Sequence, residues 1–418
     1  MRGGSTESRL ARRLRWTMIA LAFFATLINY LDRQALSVAA PILRAQFHLS
    51  NIDYSRILFA FMLAYTIMNG FSGLVIDRLG TRAGYALFVG WWSLCAILHA
   101  FARGVLSLEI FRFLLGMGEA GNWPAAVKVV AEWFPSDERS FASGIFNSGS
   151  SVGAILAPPI IAVLLLRYGW RSAFAAVGCA GFVWLVAWLR LYRPPEHSSE
   201  EPVLVTKMPL GRLLCSRFVW SFTLSKIFVE PVWYFYIFWF PEYLFHARNF
   251  DMASIGRYAW IPFFVAGVGS VGGGLIAKVL MKRGMGVTAA RKTAVTLSAL
   301  LMTMAIPAVL VGGSALSIGF VSIAMAGYTA CLATMMAMPA DVFPADVVAS
   351  VYGLASMGSG FGGMVFMLFT GWLVEHYSYV PAFVLFGLTP LICAGILWTV
   401  MGPLELKVEY LLQTEQNA

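Results

Sequence analysis

Runs of apolar residues recur along the whole chain, separated by short polar breaks. A helix needs roughly 20 such residues to cross a bilayer's hydrocarbon layer. The runs are continuous rather than alternating and far longer than a barrel strand, which predicts helices and not a barrel. Twelve spans are expected, near residues 16–40, 54–76, 83–102, 105–131, 141–166, 171–191, 218–244, 254–280, 292–312, 315–339, 347–374 and 380–401. The first is too long for a cleaved leader, lacks a small-residue cleavage site and is followed by eleven more.

Composition agrees with this pattern. Of 418 residues, 59% are hydrophobic and 12% charged, where a soluble domain carries about 25% charged. The pattern predicts an all-α membrane protein.

A net charge of +9 raises nucleic acid as a partner, but its distribution argues against that. Arg2, Arg9, Arg12, Arg13 and Arg15 precede the first span, and Arg78 and Arg82 follow the second. Arg190, Arg193, Lys207, Arg212 and Arg217 lie between spans six and seven; Lys282, Arg283, Arg291 and Lys292 lie between spans eight and nine. If the spans alternate, all of these share one side, while the opposite loops hold few, such as Arg44, Arg56 and Arg103. The positive-inside rule then puts both termini in the cytoplasm. The five cysteines form no CxxC pair, so neither a disulfide framework nor a metal site is expected.

The longest polar break, Tyr192 to Arg217, divides the spans six and six. It predicts an N-terminal bundle (1–191), a cytoplasmic linker (192–217), a C-terminal bundle (218–401) and a cytoplasmic tail (402–418). The halves repeat one another. FPSDERSFASGIFNSGSSVG from Phe134 and FPADVVASVYGLASMGSGFG from Phe343 align at an offset of 209, pairing Gly144 with Gly353, Gly149 with Gly358 and Gly153 with Gly362. Repeated bundles place a substrate site near the midplane between them, the architecture of a transporter.

Charges inside the spans are costly unless they face a cavity or one another. Span 1 holds Asp32 and Arg33; span 4 holds Arg112 and Glu119, seven residues apart and so on one helix face. Asn29, one turn before Arg33, and Tyr65 in span 2 are expected to border the same cavity. These charges either pair to lock helices or form an anion site with a proton switch. Arginine binds carboxylates through a fork and stays charged, whereas a carboxyl group in an apolar site favours its protonated form. In span 7, Lys226 and Glu230 are spaced to pair. Trp233 and Tyr234, with Tyr236, Phe238 and Trp239, form either an interfacial aromatic belt or a surface that stacks on a sugar.

GLVIDRLGTR, Gly73 to Arg82, follows span 2 and reads Gly-x-x-x-Asp-Arg-x-Gly-x-Arg. It resembles the loop signature of the major facilitator superfamily. The resemblance implies a conformational latch in Gly73, Asp77, Arg78, Gly80 and Arg82, with the aspartate contacting the start of span 11. In the second half Gly274 matches, but Lys278 replaces the aspartate, which argues against a symmetric second latch.

With LDRQ at Leu31, AEWFPSDERSFASGIFNSGSSVGAILAPP, EPVWYF at Glu230 and ARKTAVTLSALLM at Ala290, the chain resembles the anion:cation symporter branch of that superfamily. Its look is that of bacterial hexuronate and galactonate transporters. The resemblance implies twelve transmembrane helices in two pseudo-symmetric bundles in the bacterial inner membrane. It also implies proton-coupled symport of a sugar acid, a hexuronate or aldonate. Arg33 and Arg112, with Tyr65, would hold the carboxylate; Asp32 and Glu119 would be protonated. Where the galactonate type has a glutamine in span 5 and an asparagine in span 11, this chain has Ser150 and Ser356, so the sugar contacts of that group do not carry over.

The expected partners are a small organic anion, protons and lipid, with a monomeric chain and no cofactor. The rivals are an antiporter that exports drugs or metabolites and a membrane sugar-acid sensor. Paired arginines favour an anion over a cationic drug, and the linker is short for a signalling element. No H-E-x-x-H or P-loop pattern occurs, so neither an enzyme nor an ATP-driven pump is expected.

Overall fold

The computed structural model describes residues 9–194, 210–250, 254 and 257–404. Up to residue 194 the helices are α1 (Arg9–Phe47), α2 (Asn51–Leu79), α3 (Thr81–Leu98), α4 (Val105–Glu119), α5 (Asn122–Trp133) and α6 (Ser136–Leu191). Those that follow are α7 (Leu210–Leu214), α8 (Arg217–His246), α9 (Ile261–Lys282), α10 (Val287–Met302), α11 (Ala305–Leu310), α12 (Ser314–Val342), α13 (Ala345–His376) and α14 (Tyr379–Thr399). Most of the expected linker and tail lies outside the described residues.

Nine helical stretches among the described residues are long and apolar enough to cross a membrane. One of them, α6, has 56 residues and would be about 84 Å long if straight, nearly three times the hydrocarbon thickness. It breaks at Gly169, where φ is 77° and ψ is 168°, a backbone region essentially restricted to glycine. The expected fourth span is likewise interrupted: α4 ends at Glu119 and α5 begins at Asn122.

Polarity is distributed for lipid. Leu106, Leu166 and Val183 are exposed on the outside, while Asp32, Arg112, Glu119, Lys128, Lys226 and Arg291 are buried. Without water in the bilayer core, such charges are tolerated only inside the protein.

The sequence repeat has a structural counterpart in two seams that join the halves. A β-carbon on Gly73 of α2 would sit 2.0 Å from the Ala349 carbonyl oxygen of α13. One on Gly274 of α9 would sit 2.2 Å from the Ser140 carbonyl oxygen of α6. Ala349 and Ser140 are related by the same offset of 209. Small residues let these backbones approach closely, the usual device of membrane helix packing. Gly144 and Gly353 extend the same two seams, against Ser270 and Asn69 respectively.

Candidate functional site

Two cavities lie along the line between the halves. The central one, about 60 Å³, is lined from the first half by Tyr30, Arg33, Tyr65, Asn69, Asn147 and Ser150. From the second half it is lined by Glu230, Trp233, Tyr234, Tyr328, Tyr352 and Ser356. An outer cavity of about 1040 Å³ shares the wall made by Tyr30, Arg33, Trp233 and Tyr234 and adds Gln34, Leu58, Phe61 and Arg112.

The far end of the molecule is shut. Asp77 Oδ2 accepts hydrogen bonds from the Ser350 backbone N–H at 2.7 Å and from its hydroxyl at 2.5 Å. Asp77 Oδ1 pairs with Lys128 at 2.8 Å. Leu58 at the outer cavity and Asp77 are 19 residues apart on α2, about 28 Å by helical rise. Asp77 therefore reaches the second turn of α13, not the free N–H groups of its first. Within the Gly73–Arg82 motif, Gly80 makes the one-residue turn between α2 and α3 with φ of 78°. Arg82 donates to the Leu189 carbonyl, and Arg78 is exposed.

The second half has no symmetric counterpart of the Asp77 contact at Lys278, but the equivalent seam is bridged by a different ion pair. Lys278 Nζ lies 2.6 Å from Glu138 in the first turn of α6. The replacement changes the sign of the charge and the choice of partner, and the seam is still closed. Beside it, Asp341 takes Arg139 and Arg291, each at 2.9 Å, and the Ser136 hydroxyl at 2.7 Å. Arg291 also donates to the Ser140 hydroxyl and the Ser136 carbonyl, so this cluster ties α10 and α12 to α6.

At the cavities, Arg33 donates from Nε to Glu119 Oε2 at 3.0 Å, and its Nη2 lies 3.0 Å from the same oxygen. Both donors converge on one oxygen, leaving Glu119 Oε1 without a hydrogen-bond partner among the described residues. Arg33 also lies over the rings of Tyr65 at 4.7 Å and of Tyr30 and Phe61 at 5.3 Å. These faces hold a guanidinium by cation–π attraction. Glu119 is fully buried, whereas the Arg33 side chain keeps 23% of its surface, so the cation faces the cavities and its carboxylate stands behind it.

Asn29 borders neither cavity. It is fully buried, and its Oδ1 accepts a hydrogen bond from Arg33 Nη2 at 3.4 Å. One turn behind Arg33 on the same helix, it supports the arginine from the protein side. Arg112 lines the outer cavity and not the central one. It donates to the Arg33 carbonyl at 3.4 Å, while its Nε and Nη2 lack partners among the described residues. Asp32 is buried with both oxygens in the same condition, within electrostatic range of Glu119 and Arg112.

Trp233 and Tyr234 form no interfacial belt. Both line the cavities; Trp233 stacks on Tyr328 at 5.4 Å and donates to the Tyr30 hydroxyl at 3.2 Å. Tyr236 is fully buried. Lys226 pairs with Glu230 at 2.6 Å. Sequence reasoning missed Lys128, Arg139, Arg291 and Asp341. For Arg291 and Asp341 the repeat carried a signal, since the offset of 209 pairs Arg82 with Arg291 and Glu132 with Asp341; Lys128 and Arg139 fall opposite Ala337 and Val348 and had none. Gly149 to Gly153 spells G-x-S-x-G, but it lies inside α6 rather than on a strand-to-helix turn, so Ser151 is no exposed nucleophile.

A family model described as Major Facilitator Superfamily matches residues 22–354. The hexuronate transporter of Escherichia coli (strain K12) is 32% identical over 94% of this chain and 95% of its own length. The galacturonate transporter of Dickeya chrysanthemi is 36% identical over 69% of this chain and 89% of its own. Among solved structures, the proton:xylose symporter XylE bound to 6-bromo-6-deoxy-D-glucose superposes with a TM-score of 0.76 at 15% identity. That comparison covers 96% of this chain and 99% of the other, and it shows the shared fold. With a family model over most of its length and helices that fit a bilayer, this chain belongs to the Major Facilitator Superfamily and is an integral membrane transporter, not an enzyme.

Proposed function

We propose that the protein carries a sugar acid, a hexuronate or aldonate, together with protons across the bacterial inner membrane. The observation that carries this reading is Arg33, a permanent cation on the wall of both cavities whose counter-charge is the fully buried Glu119. A substrate carboxylate competes for the arginine fork, and a proton on Glu119 frees the fork to take it. Arg112, which lines the outer cavity and whose buried Nε and Nη2 lack partners among the described residues, completes the carboxylate site. Asp32, buried within electrostatic range of Glu119 and Arg112, is the second proton site. The relatives named as hexuronate and galacturonate transporters support the same substrate class.

In this reading the halves are two six-helix bundles that rock about the central cavity, and one chain suffices. The latched end carries the basic loops and is cytoplasmic, so the wide cavity opens outward. Asp77, Lys278 and Asp341 hold that state until the acid and a proton are bound. The test is uptake of labelled glucuronate or galacturonate into proteoliposomes under an imposed pH gradient, acid outside. Accumulation above the equilibrium level is expected. Transport of neither acid would overturn the reading.

A further inference from the structure

The central cavity holds a second charge that the carboxylate site does not use. Glu230 on α8 lines it with Arg33, but unlike Arg33 it is not on the wall of the outer cavity. Tyr234, one turn along α8, lines both cavities. Glu230 therefore stands a helix turn deeper than the shared wall, at the end of the cavity away from the opening.

Its partner does not cancel it toward the cavity. Lys226 is 1% exposed and its ammonium is used up: Glu230 at 2.6 Å, the Ser356 hydroxyl at 2.8 Å and the Tyr352 ring at 4.0 Å. The Glu230 side chain keeps 17% of its surface. One of its oxygens accepts from Lys226 and the other from the Ser359 hydroxyl at 2.6 Å. A carboxylate has about four lone-pair sites, so acceptor capacity remains for a ligand. The deep end thus offers acceptors and a negative charge, whereas the mouth offers a cation.

We propose that Glu230 makes the site selective for monocarboxylates, accepting a hydroxyl of the substrate end remote from Arg33 and rejecting a second carboxylate there. This rests on the sugar-acid reading above and names its substrate class. A hydroxyl donates to Glu230, while a carboxylate brings no donor and a like charge into a desolvated space. Specificity often comes from such a repulsive element rather than from added attraction.

Two open-chain acids isolate this effect. Galactonate and galactarate differ only at the far carbon, CH2OH in one and a carboxylate in the other. Each is used to compete with labelled hexuronate uptake in proteoliposomes. Galactonate is expected to inhibit at least about tenfold more strongly than galactarate, the scale of one unfavourable charge contact. In Glu230→Gln the preference is expected to fall below about threefold. The double variant Lys226→Gln/Glu230→Gln removes both charges and keeps the volume, guarding against misfolding from an orphaned lysine; it too should lose the preference. Equal inhibition of the wild type by both acids would overturn the proposal, as would a preference that survives in the double variant. Hexuronate uptake with no such discrimination removes this inference alone, whereas no uptake of any acid removes the underlying function and this inference with it.

Discussion

Arg33 and Glu119 meet at 3.0 Å through a single carboxylate oxygen, although the arginine offers a fork and the glutamate two acceptors. The unused Oε1 is the oxygen we propose for the proton, which removes the charge that holds the arginine fork. Glu119→Gln keeps the shape and removes the exchangeable charge. Concentrative uptake is expected to be lost while substrate exchange between preloaded vesicles and medium persists. Counterflow and gradient-driven uptake, measured side by side, check this; accumulation at the wild-type level would remove Glu119 from coupling.

The two arginines make different contributions. Arg33→Ala removes a charge-assisted partner and leaves Glu119 buried without its cation. Affinity for the acid should fall by roughly 30- to 150-fold, about 2–3 kcal/mol. Arg33→Lys is expected to restore little, because an ammonium lacks the planar fork. Arg112→Ala should also abolish tight binding if its free donors complete the site from the outer cavity. Titration calorimetry on the purified protein reads all three, and intact affinity in either alanine variant would exclude that residue.

Asp77→Asn is expected to loosen the latched end. It leaves one amide oxygen where two carboxylate oxygens serve Ser350 and Lys128, and it strands the charge of Lys128, which is 2% exposed; an unpaired buried charge costs about 3–5 kcal/mol. Spin labels at the exposed positions Arg78 and Arg283 should report a longer distance in this variant. Asp77→Asn/Lys128→Gln, which removes the stranded charge, should move partway back. An unchanged distance in both would deny the latch its role.

Two glycines of one motif separate packing from backbone strain. Gly73→Ala puts a methyl 2.0 Å from the Ala349 carbonyl oxygen, so α2 and α13 must part and the same labels should move apart. Gly80→Ala meets nothing within 4 Å but sits at φ of 78°. With ψ of 159° that backbone is essentially restricted to glycine, so the substitution should cost about 1–3 kcal/mol of stability, seen as a lower melting temperature in detergent, with the label distance unchanged.

Much of this was legible in the chain. Apolar runs marked the helices because a bilayer sets their length, and the offset of 209 marked the seams because close backbone contact admits only small residues. Asp32, Arg33, Arg112 and Glu119 announced themselves because a charge in an apolar run needs a reason. What stayed hidden was direction. Asn29 and Arg33 share a helix face, yet only the arginine reaches the cavity, because its side chain is long enough to pass its neighbours. The partner of Lys278 was hidden as well, because a motif read letter by letter does not show that Glu138 lies opposite it. Tyr328 and Tyr352 gave no signal, since an aromatic in a membrane span is unremarkable until its neighbours are known.

The two seams also differ in how they meet the surrounding electrolyte. The Asp77 contact is built on a backbone N–H and a lysine that is 2% exposed, beyond the reach of mobile ions. The Lys278–Glu138 pair keeps 17% of each side chain in contact with solvent, where dissolved ions weaken the attraction. Rising ionic strength on that face therefore weakens the Lys278–Glu138 pair before the Asp77 contact, so a molecule with a twofold plan answers its medium unevenly.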